Sequence, residues 1–371
     1  MLITDEGGTV LDCVAREAAG DGIEPLQGIL APGLVNCHCH LELSHMKDVL
    51  PRHTGLVDFL IGVVTRREAQ RPEVIRERIA AAEKEMAEAG TVGVVDICNT
   101  DHALAVKAQS ALKWHSLVEV LNLFDHTLPE KLRHYQAILD SYQAQEATAS
   151  LTPHAPYSIS MATYAALDAR TAGGIIAIHN QETEAENELF RTGTGDFLRL
   201  FAALGLKHVP FAASGKTSLQ TYLPYITGGQ TLLLVHNTYT TTEDLLFARA
   251  HAQKHGLRLV YCLCPNANRY IENKLPPVEL LVEQGAEIVL GTDSYSSNQQ
   301  LSIAAEVATL QQHFPHLPLE TLLQWATSNG ASALGWGELG AFRKGTRPGI
   351  VLLDTVSGSD KRLTGTSKRI L

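Results

Sequence analysis

Two histidines one residue apart, His38 and His40, close the apolar-rich run Ala31-Pro-Gly-Leu-Val-Asn-Cys-His-Cys-His40. In a strand, side chains two positions apart share a face, so both imidazoles can converge on one cation at the strand's end while Cys37 and Cys39 point the other way. A lone His-x-His is a weak signal in a chain with 16 histidines, and ordinary surface or core imidazoles would explain it. Similar constructions recur, however. Ile175-Ile-Ala-Ile-His179, Thr231-Leu-Leu-Leu-Val-His236 and Glu287-Ile-Val-Leu-Gly-Thr-Asp293 are buried-type strands that each close on a residue able to bind metal.

These ends need a scaffold. Short apolar runs rich in β-branched residues occur at 33–38, 91–98, 115–121, 149–154, 175–179, 231–236, 258–263 and 286–292. Helical patterns fall between them, at 56–70, 73–89, 128–145, 160–171, 184–203, 242–254, 299–313 and 318–334. In 73–89, Ile75, Ile79, Ala82 and Met86 share one face and Gly90 follows as a stop. Eight strand–helix repeats predict an α/β chain whose parallel strands close into a (β/α)8 TIM barrel over 31–344. Residues 1–30 and 345–371 are expected to pair into a small β-structure beside it. In such a barrel the site lies at the C-terminal strand ends, which collects His38, His40, His154, His179, His236 and Asp293. Their shared position is hard to explain by packing.

Composition narrows the partners. With 371 residues, 45% apolar, the chain can bury a large core. A net charge of −10 without a basic tract argues against nucleic acid and anionic membranes as partners. The N-terminus lacks a signal-peptide pattern and no run approaches eighteen apolar residues, so a soluble, cytoplasmic protein is expected. The six cysteines suit reduced, buried thiols, and the Cys-x-Cys pairs lack the usual spacing of a zinc site. No Gly-x-Gly-x-x-Gly follows the first strand, and Pro210 stands where a phosphate loop ending in Gly215-Lys216-Thr217 needs its leading glycine.

The motifs Pro32-Gly-Leu-Val-Asn-Cys-His38-Cys-His40, His179-Asn-Gln-Glu182, His236 and Gly291-Thr-Asp293-Ser-Tyr-Ser-Ser-Asn298 resemble the amidohydrolase superfamily, in particular its mononuclear aminohydrolase branch. That branch holds deaminases of adenosine-type nucleosides, S-adenosylhomocysteine, guanine and aminodeoxyfutalosine, together with triazine hydrolases. The resemblance spans essentially the whole chain. It implies that His38, His40, His179 and Asp293 hold one divalent metal, with a position left for water. Glu182 would shuttle protons and His236 would orient the water. Nitrogen and carboxylate ligands with an open position suit a catalytic zinc, which lowers the pKa of its water from about 15.7 toward about 7; iron or manganese could substitute. Binuclear relatives use a modified lysine at the end of strand 4, but here that strand ends in Thr152-Pro-His154, and Lys113 sits at the wrong end of strand 3. Glu184, Glu186 and Glu188 lie near Glu182, yet acidic residues in a helix's first turns complement its dipole and commonly face solvent.

The resemblance also implies substrate contacts. His154-Ala-Pro-Tyr157 resembles the segment that nucleoside deaminases place against substrate, and Asn266 and Asn298 sit in segments following the last two strands. Ala267 replaces a family serine. Glu42 resembles an acidic position that either grips ring nitrogens or orients a ligand histidine. Lys216 and Arg269 either meet a substrate carboxylate or remain solvated. Metal-dependent deamination of an adenine nucleoside such as aminodeoxyfutalosine is therefore expected, and the resemblance implies a homodimer. The alternatives are a cyclic-amide hydrolase resembling imidazolonepropionase, which shares the metal site but releases no ammonia, and an inactive barrel serving as a binding module.

Overall fold

The computed structural model describes residues 1–20, 22–145, 148–206, 212–357 and 361–371. Strands β1 (Leu2–Thr4) and β2 (Val10–Cys13) form an antiparallel pair. Strand β3 (Ile29–Pro32) follows, and then eight strands alternate with helices: β4 (Leu34–Cys39), β5 (Thr91–Cys98), β6 (Lys113–Val120), β7 (Thr148–Pro153), β8 (Ile175–Asn180), β9 (Thr231–His236), β10 (Arg258–Leu263) and β11 (Ile288–Leu290). Two C-terminal strands, β12 (Ile350–Thr355) and β13 (Leu363–Arg369), complete the order. Each strand the apolar runs predict between 33 and 292 has its counterpart among β4–β11. The mixed α/β character expected of the chain is present.

β4–β7 and β8–β11 form two four-stranded parallel sheets. The sheets meet at both outer edges. On one side, His38 O accepts from Thr292 N (2.9 Å) and Asp293 N (3.0 Å), and Cys39 bridges Asp293 in parallel register. On the other, Thr152 Oγ1 donates to Ala177 O (2.6 Å) and accepts from Ala177 N (2.7 Å), so a hydroxyl replaces a ladder bond between β7 and β8. Separately, β3, β12 and β13 form an antiparallel sheet with β12 in the middle, which joins residues 29–32 to the C-terminus.

Burial on both faces explains why these strands read as continuous apolar runs. Leu233 and Val235 pack with Val35, Ile97, Leu117, Val260 and Val289 from both sheets, whereas Leu232 and Leu234 pack outward against helices. Burying each such side chain contributes about 1.5–3 kcal/mol. At the strands' N-terminal end Trp336 lies against Gly93, where an added Cβ would stand 2.3 Å from the indole.

Helix boundaries depart from the periodicity where the backbone does. The expected 184–203 helix is two, Glu184–Thr192 and Phe197–Ala203, because Gly193 (φ 73°) caps the first in the left-handed region and Gly195 (φ 98°) continues the break. The 318–334 helix divides at Thr327 (φ −136°, ψ −88°), and the 299–313 helix starts only at Ile303, where Ser302 accepts from Ala305 N. Short helices at Leu104–Lys107, Ser218–Tyr222, Pro265–Ile271 and Val278–Glu283 carry too few turns to show a period. Among the described residues, no helix is long and apolar enough to cross a membrane.

Candidate metal centre and active site

The strand ends bring the expected ligands together. One ligand atom each from His38, His40, His179 and Asp293 lies within 4.8 Å of the other three, and all four residues are buried. His40 Nε2 stands 3.2 Å from His179 Nε2 and 3.5 Å from Asp293 Oδ1; His38 Nε2 is 3.6 Å from the same oxygen. His179 Nδ1 donates to His154 O (2.9 Å), which assigns the proton to Nδ1 and leaves the Nε2 lone pair facing the cluster.

A cation fits this set. Both ring nitrogens of His38 are buried without a hydrogen-bond partner, a state costing about 1–3 kcal/mol unless something else engages them. Burial holds His38, His40 and His179 below the usual imidazole range, so they are neutral. Burial works against ionising Asp293, yet His40, His236 and the Ser297 hydroxyl keep its carboxyl below the usual range. Neutral imidazoles and an ionised carboxylate are the protonation states a divalent metal requires.

Local structure sets each ligand. Gly291 admits the end of β11 against β4, since a Cβ there would stand 2.7 Å from that of His38. Asp293 (φ 59°) and His236 (φ 73°) occupy left-handed backbone, a strain of about 1–3 kcal/mol each that surrounding contacts must offset. Ser297 Oγ donates to Asp293 Oδ2 (2.5 Å), leaving Oδ1 toward the imidazoles. After His40 the turn is held by Leu41 N donating to Asp96 Oδ1 (2.7 Å), while the buried Lys107 ammonium lies 2.5 Å from Asp96 Oδ2. Cys37 and Cys39 do not share one environment, contrary to the alternation argument: Cys37 packs between the sheets and Cys39 against the helix Pro72–Glu88, because the β4–β5 register shifts between Asn36 and Cys39. The described cysteines are all free, and only Cys13 is exposed.

Beside the cluster, Glu182 Oε1 lies 3.6 Å from His236 Nε2. Burial, then Asp293 and Glu186, push the Glu182 carboxyl well above the usual range, which favours its protonated form. Burial pushes His236 down to about 3, and its Nδ1 has no partner. Glu184 and Glu188 are exposed as expected, but Glu186 is buried. Its Oε1 accepts from Gln181 N (3.0 Å) and its Oε2 from Glu182 N (3.4 Å). The helix begins so close to the strand end that its third residue turns inward to cap the preceding loop. Burial raises Glu186 to about 7.

The expected substrate contacts lie in different settings. His154 has its ring 4.9 Å from that of His179 and its Nδ1 2.6 Å from Ser158 Oγ. Tyr157 is buried 4.4 Å from the Phe197 ring. Asn266 N donates to Glu306 Oε2 (2.8 Å) and Asn298 Nδ2 to Glu306 Oε1 (2.9 Å), so one buried carboxyl, raised by burial to about 8, ties both segments. Glu42 has both oxygens engaged: Arg67 Nη2 donates to Oε1 (2.9 Å), and Asn99 N, Thr100 N and Thr100 Oγ1 donate to Oε2. It therefore clasps the loop after β5. Lys113 pairs with Glu338 far from the ligands.

Sequence reasoning missed Glu306, Ser297 and Glu119. Glu119 Oε1 lies 3.6 Å from His179 Nδ1, its Oε2 accepts from Asn99 Nδ2 (3.1 Å), and burial raises its carboxyl to about 8. Collecting strand-end residues from β6 as well would have found it.

Parallel strands that end in three imidazoles and one carboxylate, with a buried glutamate alongside, define a metal-dependent hydrolase. The chain belongs to the amidohydrolase family, whose model matches residues 29–369. It is 27% identical over 344 residues to an aminodeoxyfutalosine deaminase of Deinococcus radiodurans, covering 89% of this chain and 77% of that protein. To a 5-methylthioadenosine/S-adenosylhomocysteine deaminase of Teredinibacter turnerae it is 25% identical over 348 residues, covering 88% and 72%. Among solved structures, Helicobacter pylori aminofutalosine deaminase in complex with methylthio-coformycin superposes with a TM-score of 0.76 at 20% identity, over 100% of this chain and 94% of that one.

Proposed function

We propose that this protein is a mononuclear, metal-dependent aminohydrolase that removes the exocyclic amine of an adenine nucleoside as ammonia, with aminodeoxyfutalosine the first candidate substrate. One observation carries the reading. A buried Glu182 whose protonated form is favoured lies 3.6 Å from a neutral His236 beside the ligand cluster, which is the pairing that deamination of a heterocycle needs. The deaminase relatives support it. We also read the two parallel sheets as halves of one closed (β/α)8 barrel, supported by the bonds at both shared edges, with the β3–β12–β13 sheet as a small appended subdomain. Buried free thiols suit a cytoplasmic location.

His38, His40, His179 and Asp293 would hold the ion. When bound, a divalent metal, with zinc the best match to this donor set, makes water nucleophilic near neutral pH. Glu182 gives its proton to the ring nitrogen beside the amine-bearing carbon, which makes that carbon electrophilic. His236 accepts a hydrogen bond from the incoming water and fixes its approach. Water adds and gives one proton to Glu182, which passes it to the amine; the carbon–nitrogen bond breaks, ammonia leaves, and the hydroxyl's remaining proton returns to Glu182 as the ring keeps an oxo group. Such assistance accounts for about 10²–10⁴ in rate.

The test is ammonia release from metal-verified protein offered aminodeoxyfutalosine, S-adenosylhomocysteine and adenosine, with guanine, cytosine and triazines as further amines. Ammonia from an adenine nucleoside supports the reading. Silence across the panel contradicts it and favours hydrolysis of a cyclic amide.

A further inference from the structure

Apart from the metal ligands, a cleft of about 550 Å³ opens between the segments that follow β10 and β11 and the strand β13. Its described lining includes Arg52, Arg269 and Arg362 and no aspartate or glutamate. That reverses the balance of a chain with 40 acidic residues against 30 basic ones. Small residues make the room: Ala305, Ala308 and Gly365 meet where β13 crosses the helix Ile303–His313, and a Cβ on Gly365 would touch both alanines.

Two of these cations come from different elements. Arg269 lies in the helix Pro265–Ile271, directly after β10. Arg52 sits over the Tyr270 ring, 5.2 Å from its centroid. Its segment is pinned there, because His53 N donates to Tyr270 O (2.7 Å) and Tyr270 Oη donates to Leu50 O (2.6 Å). Neither guanidinium forms an ion pair with a carboxylate among the described residues. The nearby Glu306 does not serve them, since its oxygens accept from Asn266 N and Asn298 Nδ2 behind the cleft wall. Both residues are exposed, and guanidinium forks without a carboxylate partner offer paired donors to a planar or tetrahedral anion.

We propose that this cleft binds a carboxylate or phosphate group through Arg52 and Arg269. The anion belongs either to the substrate, as a substituent carried beyond the nucleoside, or to a separate small molecule. The walls support the first source, because Asn266 and Asn298, which line the cleft, belong to the segments leaving β10 and β11. Only that source rests on the deaminase reading.

The experiment is calorimetric titration of the metal-loaded protein with inorganic phosphate and with citrate at low ionic strength, for the parent, R269K and the R52Q/R269Q double variant. One saturable site is expected in the parent, weakened by about tenfold or more in the double variant and less in R269K, which keeps charge but loses the fork. The absence of saturable binding in the parent overturns the proposal. So does binding that persists in a folded double variant, which would place the anion elsewhere. Ammonia release from a neutral and a carboxylate-bearing adenine nucleoside then separates the sources. A fall in kcat/KM confined to the carboxylate-bearing substrate assigns the anion to the substrate; no change for either, with phosphate binding lost, assigns it to a separate molecule. If neither nucleoside is turned over, the deaminase reading fails while the titration still decides the cleft.

Discussion

The two ends of the same parallel strands differ in how their buried polar groups are arranged. At the N-terminal end the space is filled and the surface charge is paired, while Thr91 Oγ1, Trp114 Nε1, His115 Nε2 and the Gln230 amide oxygen are buried singly, without partners. Arg258 at the start of β10 meets Glu287 through Nε (3.0 Å) and Nη2 (2.5 Å) and donates to Ser332 O, and Trp336 covers Gly93. At the C-terminal end, His38 and His236 keep buried nitrogens without partners, burial pushes the Glu182 carboxyl upward, and His236 and Asp293 sit in left-handed backbone. Unpartnered groups thus occur at both ends, but only at the C-terminal end do they converge with a carboxylate on one point, where a metal would engage them.

That contrast can be broken from the site outward. The largest effect is expected for His38→Ala, which should abolish stoichiometric metal retention and with it turnover, as read by metal analysis after desalting and by ammonia release. Gly291→Ala should follow, because its Cβ would collide with His38. Overpacking of about 1–3 kcal/mol should lower Tm and weaken metal retention together. Glu186→Ala leaves the Gln181 and Glu182 amides unpaired at a cost of about 1–3 kcal/mol, and is expected to lower kcat more than metal content. Arg258→Ala at the opposite end removes a half-exposed pair worth about 0.2–1 kcal/mol; its activity should match the parent's.

Acidity sharpens the same comparison. Glu186, Glu119 and Glu306 carry carboxyls raised to about 7, 8 and 8 from 4.5. The folded state thus holds protons that the unfolded chain has released, and stability falls as pH rises from about 4.5 to about 8. His115 and His236 are depressed to about 4 and 3 from 6.5, so their contribution is present above pH 6.5 and is lost as pH falls through those values. The two trends oppose each other below pH 6.5, while above it only the carboxyls act. The Tm of metal-free protein should therefore decline between pH 7 and 8, and a rise across that interval would contradict these assignments.

Much of this was legible in the chain. β4–β11 are buried on both faces, so each reads as an apolar run, and the ligands stand where the runs stop. What stayed hidden are the groups whose role is to hold other segments. Glu306 is tied to Asn266 and Glu42 to Thr100, pairings across tens of residues that no local period records. Glu186 was hidden for another reason: on a helix's first turn, burial and exposure share the same sequence pattern, and only the closeness of the strand end turns it inward. Helix breaks at Gly195 and Thr327 likewise depend on backbone angles that the side-chain pattern does not carry.

The most direct measurement is ammonia release by the parent and by Glu182→Gln at equal, verified metal content, with aminodeoxyfutalosine as substrate. Full metal occupancy in both, with the variant slower by about 10²–10⁴, is the predicted result. A metal-loaded Glu182→Gln protein within about tenfold of the parent would contradict the account, because the proton would then reach the ring by another route.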